Sequence, residues 1–106
     1  MDVAAEAYKI TSRFPKQEIY GAVTQIRRAG ASIPANIAEG YGRESKGSYV
    51  QFLRIAQGSL KELETHLMLA ARVELTSQES VIPLLEHCDT VGKMLRGLIR
   101  SLDAAD

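Results

Sequence analysis

The sequence predicts an all-α protein, an antiparallel up-down-up-down four-helix bundle formed by residues 1–106 as a single domain. Three observations predict it. Apolar side chains recur at intervals of three and four through four successive segments, the spacing that gathers them on one face of an α-helix. The segments are divided by short runs carrying Pro, Gly or capping residues, and short connections make successive helices antiparallel neighbours. Finally, 106 residues suit one domain with one hydrophobic core.

The first segment carries Val3, Ala7, Ile10 and Phe14. It ends at Phe14-Pro15, and Pro15 suits the first turn of the next helix. Helix two follows the seam Ile19, Val23, Ile26, Gly30, Ile33 and Ile37. Pro34 lies inside it, lacks an amide donor and opposes the carbonyl of Gly30, which predicts a bend near Pro34. The run Glu39-Gly40-Tyr41-Gly42 closes this helix, and Gly40 suits a left-handed terminus. Helix three carries Tyr49, Leu53, Ala56, Leu60, Leu63, Leu67 and Ala70. Beside that seam runs a second apolar line, Phe52, Ile55, Leu69 and Val73. It fits either a wider core or a face turned to another subunit. The chain turns again around residues 74–78, where Thr76 and Glu79 read as a capping box. Helix four carries Val81, Leu84, Cys88, Val91, Leu95, Leu98 and Leu102. Pro83 fits a start near Ser80 or irregular first turns, with the earlier start favoured.

Charge and chemistry narrow the function classes. The formal net charge is zero, which argues against nucleic-acid binding over the whole surface and leaves a local basic patch open. Arg27 and Arg28 are adjacent, Arg43 and Lys46 flank the turn after helix two, and Arg54 and Lys61 lie seven residues apart on helix three. Lys93, Arg96 and Arg100 form a stripe on helix four. These cations either partner carboxylates such as Glu39, Glu62 and Glu64 or contact phosphates, and Arg27, Arg28, Arg43, Lys46, Arg54 and Lys61 are the ones expected to bind nucleic acid. Within helix two, Ser32 and Asn36 share a face and are expected to hydrogen-bond around Pro34. Ser32, Pro34, Asn36, Glu39 and Gly40 thus read as a tightly packed structural motif or as part of a site.

No catalytic or metal-binding pattern is present. His66, His87 and Cys88 lack HExxH or CxxC spacing, Glu62 and Glu64 point in different directions on a helix, and no Gly-rich loop follows a strand. The expectation is a protein that is not an enzyme and holds no metal or cofactor. One cysteine excludes an intrachain disulfide and suits a reducing compartment. The start of the chain lacks a signal-peptide pattern, and no apolar run reaches the ~18 residues of a membrane span. A cytoplasmic protein with no membrane contact is expected.

A resemblance becomes specific along Phe14-Pro15-Lys16, Gln25-Ile26-Arg27-Arg28-Ala29 and Ser32-Ile33-Pro34-Ala35-Asn36-Ile37-Ala38-Glu39-Gly40. It continues through Gln51-Phe52-Leu53-Arg54-Ile55-Ala56 and Gly58-Ser59-Leu60-Lys61-Glu62-Leu63-Glu64-Thr65, and ends with Gly92-Lys93-Met94-Leu95 and Gly97-Leu98-Ile99. Over nearly its whole length the chain resembles the four-helix-bundle proteins encoded in intervening sequences of bacterial ribosomal-RNA genes. The resemblance implies a ring-like homopentamer. It also implies kinship with the accessory variability determinant of diversity-generating retroelements, whose basic surface binds nucleic acid and a reverse transcriptase. The expected partners are therefore further copies of the chain, RNA or DNA, and a reverse transcriptase or other protein. The chain departs from that pattern in a first helix about two turns short and in Pro83.

Overall fold

The computed structural model describes the backbone of residues 2–104, with the side chains of Asp2, Glu18, Ile19 and Tyr20 outside the description. Four α-helices form: α1 (Asp2–Thr11), α2 (Thr24–Tyr41), α3 (Lys46–Arg72) and α4 (Gln78–Ala104). The described residues contain no strand. Each helix packs on its neighbours in sequence, and α1 also packs on α4, which closes the antiparallel bundle.

The predicted seams face the interior. Val3, Ala7 and Phe14 of the first segment are buried, as are Val23, Ile26, Gly30 and Ile33 of the second. Leu53, Ala56, Leu60, Leu63, Leu67 and Ala70 line the core from α3. Val81, Leu84, Cys88, Val91 and Leu95 meet them from α4. Ile19, placed at the head of the second seam, lies outside the described side chains. The α1 helix is ten residues long, about 15 Å at the helical rise, and it lies along the first half of α4. Beyond its reach Ile37, Leu98 and Leu102 remain only partly buried.

Helix two begins later than Pro15 predicts. A 3₁₀ turn at Lys16–Glu18 and a π-helical turn at Ile19–Val23 precede α2. Gly21 departs from helical geometry there, with φ −109° and ψ −107°, and regular α2 starts three residues later. From Thr24 the helix continues through Pro34 to Tyr41.

The turns correct three further expectations. Gly40 does not adopt a left-handed conformation, since no described glycine has positive φ. It is needed instead because α2 and α3 approach closely: a Cβ at Gly40 would lie 2.8 Å from Phe52 Cβ and 3.0 Å from Tyr49 Cδ1. The cap of α4 is Ser77, not Thr76. Ser77 Oγ accepts from the Ser80 amide at 3.1 Å, so the helix begins at Gln78. Pro83 then falls in the second turn and is exposed, where water can satisfy the carbonyl left without a partner. Ser45 caps α3 in the same way, accepting from the Ser48 amide at 3.1 Å, a signal the sequence reading passed over.

Candidate nucleic-acid interface

Seven of the nine cations singled out in the sequence fall into three groups, and Arg28 and Lys93 stand apart from them. Arg27 is half-buried and engaged by α1. Thr11 is buried, and its hydroxyl donates to the Ala7 carbonyl at 2.7 Å and accepts from Arg27 Nε at 2.8 Å. The Arg27 guanidinium also lies over the Tyr8 ring, 4.7 Å from its centroid. One side chain thereby satisfies a buried hydroxyl and ties α1 to α2.

The second group surrounds the α2–α3 turn. Arg43 Nη2 meets Glu39 Oε1 at 2.6 Å, and the guanidinium covers the Phe52 ring at 4.9 Å. Lys46 is half-buried at the start of α3. Tyr41 and Tyr49 pack edge to face with ring centroids 6.1 Å apart. Arg28 is exposed on α2, a full helix away from these residues.

The third group forms a shaped surface. Arg54, Gln57 and Arg96 line two adjoining hollows between α3 and α4; Lys61 and Gly92 complete one, Arg100 and Asp103 the other. Four cations thus face a groove whose lining holds one carboxylate. Gly92 keeps the floor low, because a Cβ there would lie 3.3 Å from Leu60 Cδ2 and 3.5 Å from Arg96 Nη1. Arg54 meets Asp103 at 3.4 Å, with both side chains about half exposed. Lys61 meets Glu64 at 3.2 Å. An exposed pair such as Arg54–Asp103 is worth about 0–1 kcal/mol and exchanges readily for another anion, whereas Glu64 is largely covered. Arg96 and Arg100 have no ion-pair partner among the described residues. Lys93 is paired with Asp89 at 3.2 Å.

The sequence reading placed Arg96 and Arg100 on a stripe of their own and left them out of the set it favoured for binding. Antiparallel register joins them to α3. A turn centred near Leu75 sets Arg54 opposite Arg96, because residues equally far from the turn face each other, and that relation is visible in the sequence.

Ser32, Asn36 and Ser59 make a polar clasp between α2 and α3. Asn36 Nδ2 donates to the Ser32 carbonyl at 2.8 Å and to Ser32 Oγ at 2.9 Å. Ser32 Oγ also hydrogen-bonds Ser59 Oγ, 2.7 Å away, with either hydroxyl able to donate. The expected Ser32–Asn36 bond is therefore present, and Ser59 extends it to the neighbouring helix.

The same α3–α4 face turns apolar toward the α3–α4 turn. Met68, Leu69, Val81, Ile82 and Leu85 line a groove there, with Arg72 beside them. Leu69 is 53% exposed, Val73 57% and Ile55 42%. Three residues of the second α3 line therefore lie on the surface and do not widen the core, while Phe52 is half-buried.

Elsewhere, His87 Nδ1 meets Glu6 Oε2 at 2.5 Å, joining α1 to α4. Cys88 is fully buried. Burial, reinforced by the charges of Glu64 and Glu6, pushes its thiol up to about 12, so it stays protonated and a poor nucleophile near neutral pH. No group of three metal-ligating side chains occurs among the described residues. No described helix is long and apolar enough to cross a membrane.

Fold and surface together define a small antiparallel four-helix bundle with a cationic groove on its α3–α4 face. The chain belongs to the 23S rRNA-intervening sequence protein family, whose model matches residues 1–97. It is also similar to a crystal structure from Bacteroides thetaiotaomicron, a protein of unknown function in the S23 ribosomal protein family. The two share 26% identity and a TM-score of 0.77, over 92% of this chain and 97% of that one. No curated protein matches the chain.

Proposed function

We propose that this protein is a non-enzymatic cytoplasmic module that assembles as a homo-oligomer, a pentamer on the family resemblance, and binds nucleic acid through a local basic surface. The observation that carries the reading is the α3–α4 groove, where Arg54, Lys61, Arg96 and Arg100 converge with Asp103 as the lining carboxylate. Zero net charge is compatible with this. Phosphate contact depends on local cations, and repetition around an oligomer multiplies a modest patch. The exposed apolar residues Met68, Leu69 and Ile82, which line one groove, support self-association, because an exposed apolar patch favours being covered. A nucleic-acid-processing protein such as a reverse transcriptase fits as a second partner on the kinship with the retroelement accessory protein that the sequence resemblance implies.

The test is a titration of labelled RNA by fluorescence anisotropy at about 50 and about 200 mM salt, where counterion release makes affinity fall steeply. Saturable binding that weakens with salt is expected. No binding at the lower salt would remove nucleic acid from the reading. A structural adaptor that binds only protein is the alternative, and the exposed apolar groove favours it. It predicts that charge reversal in the basic groove leaves every association of the protein intact.

A further inference from the structure

We infer, on the nucleic-acid reading above, that the α3–α4 groove takes the phosphate backbone of a double helix and reads no base. The cations stand in two rows on two rigid supports. Arg54 and Lys61 come from α3, Arg96 and Arg100 from α4, and each helix is 27 residues long and packed on the core. Their separations are therefore set by the bundle and not by a loop that could follow a flexible strand. A duplex presents its phosphates at equally fixed separations, so neither side must be ordered on binding.

The aromatic residues argue the same way. Proteins that hold single strands combine a cationic track with exposed rings on which bases stack. No ring lines either hollow of the groove. The rings among the described side chains lie outside that lining. Tyr8 is covered by Arg27 and Phe52 by Arg43. Tyr41 and Tyr49 pack edge to face at the α2–α3 turn, where Tyr41 stays 78% exposed but outside the groove, and Phe14 is buried. A single strand would find charge here without a stacking platform.

Base readout is also unsupported by the groove. Sequence is read by side chains that reach base edges in pairs of hydrogen bonds, from an element inserted into a nucleic-acid groove. Here the cations lie along a recess between two helices, and Gln57 is the lone amide beside them. Such a surface follows a backbone laid across it, and duplex RNA is recognised largely by shape and backbone contacts.

The experiment uses the full chain at low salt with two RNA duplexes of about 20 base pairs and unrelated sequence, and a uridine strand with the same number of phosphates. Both duplexes should bind within about threefold of each other and at least about tenfold more tightly than the strand. Arg54→Gln with Arg96→Gln should weaken duplex binding at least about tenfold with an unchanged circular-dichroism melt, as expected for exposed side chains. Tyr41→Ala should leave it unaltered. If the uridine strand binds as tightly as the duplexes, if the two duplexes differ widely or if Tyr41→Ala weakens binding, the duplex-backbone inference is overturned while the nucleic-acid reading stands; if the double Gln variant binds as tightly as the parent, the groove is not the binding surface and the inference falls with the assignment of nucleic acid to it. If no probe binds, both fall together.

Discussion

One face of the bundle has two ends of opposite chemistry. Arg54, Lys61 and Met68 are seven residues apart along α3, and Arg96, Asp89 and Ile82 run back along α4 at the same interval. Each set follows one line on its helix. At the end near the α2–α3 turn, the groove carries Arg54, Lys61, Arg96 and Arg100; at the end near the α3–α4 turn, it carries Met68, Leu69, Ile82 and Leu85. The same two helices line both ends, so the side chains they present decide what each can hold. Salt should separate them further. It screens the attraction of the cationic end for phosphates and leaves burial at the apolar end largely untouched.

The largest expected effect comes from reversing charge at one end only. Arg54→Glu with Arg96→Glu should lower RNA affinity about a hundredfold, since contacts repeated around an assembly are lost together. Light scattering should give an unchanged solution mass. A change in mass would show that the cationic end also holds subunits together. The converse variant, Leu69→Glu with Ile82→Glu, places carboxylates on the apolar end. It should split the proposed assembly into smaller species and weaken RNA binding about tenfold through lost repetition, with the cationic groove intact. An unchanged mass would show that the apolar end is not the self-association surface.

The bundle itself was legible because burial leaves a three-four rhythm in the order of residues. Leu53, Leu60, Leu63 and Leu67 declared the α3 interior before any coordinates, and they are buried. What failed to show was whatever depends on distance between helices. Gly40 looked like a chain terminator because glycine suits a left-handed turn. Its actual constraint, the Phe52 and Tyr49 atoms beside it, comes from another helix. Arg27 looked available because Thr11 and Tyr8 sit 16 and 19 positions earlier in the chain, with nothing local to mark them as partners. Cap identity failed for a different reason. Thr76 and Ser77 are adjacent and both can cap, so only the backbone decides between them. The cationic groove lies between these cases: its members were visible, and their union required the antiparallel register.

The two ends also close differently, and that contrast supports two smaller predictions. At the cationic end, the chain turns with α2 and α3 in near-contact at Gly40. Gly40→Ala should cost about 1–3 kcal/mol, the usual range for overpacking a tight contact. Urea denaturation measures it. The obstruction at 2.8 Å is Phe52 Cβ and the next is the Tyr49 ring at 3.0 Å, so relief requires the two helices to separate and not a side-chain tip to swing aside. A loss well below that range would mean that α2 and α3 part easily, and that the cationic end rests on a softer support than the rigid rows require.

At the apolar end, the turn carries backbone strain instead. Glu74 has φ 64°, the positive value among described non-glycine residues. It occupies the position after the α3 cap, where its amide donates to the Ala71 carbonyl at 3.2 Å and the Leu75 amide donates to the Ala70 carbonyl at 2.9 Å. These two bonds satisfy carbonyls left open at the helix end, in the arrangement that favours glycine. A Cβ in this conformation costs roughly 1–2 kcal/mol, part of which is offset because glycine gives the unfolded chain more freedom. Glu74→Gly should therefore stabilise the protein by about 0.5–1 kcal/mol. Glu74→Ala separates the causes. It keeps the Cβ and removes only a carboxylate near a helix C-terminus, worth about 0.3–1 kcal/mol when exposed. If alanine gains as much as glycine, charge and not backbone conformation is the burden at this turn. If glycine alone gains, the apolar end retains a strained connection where the cationic end has close packing.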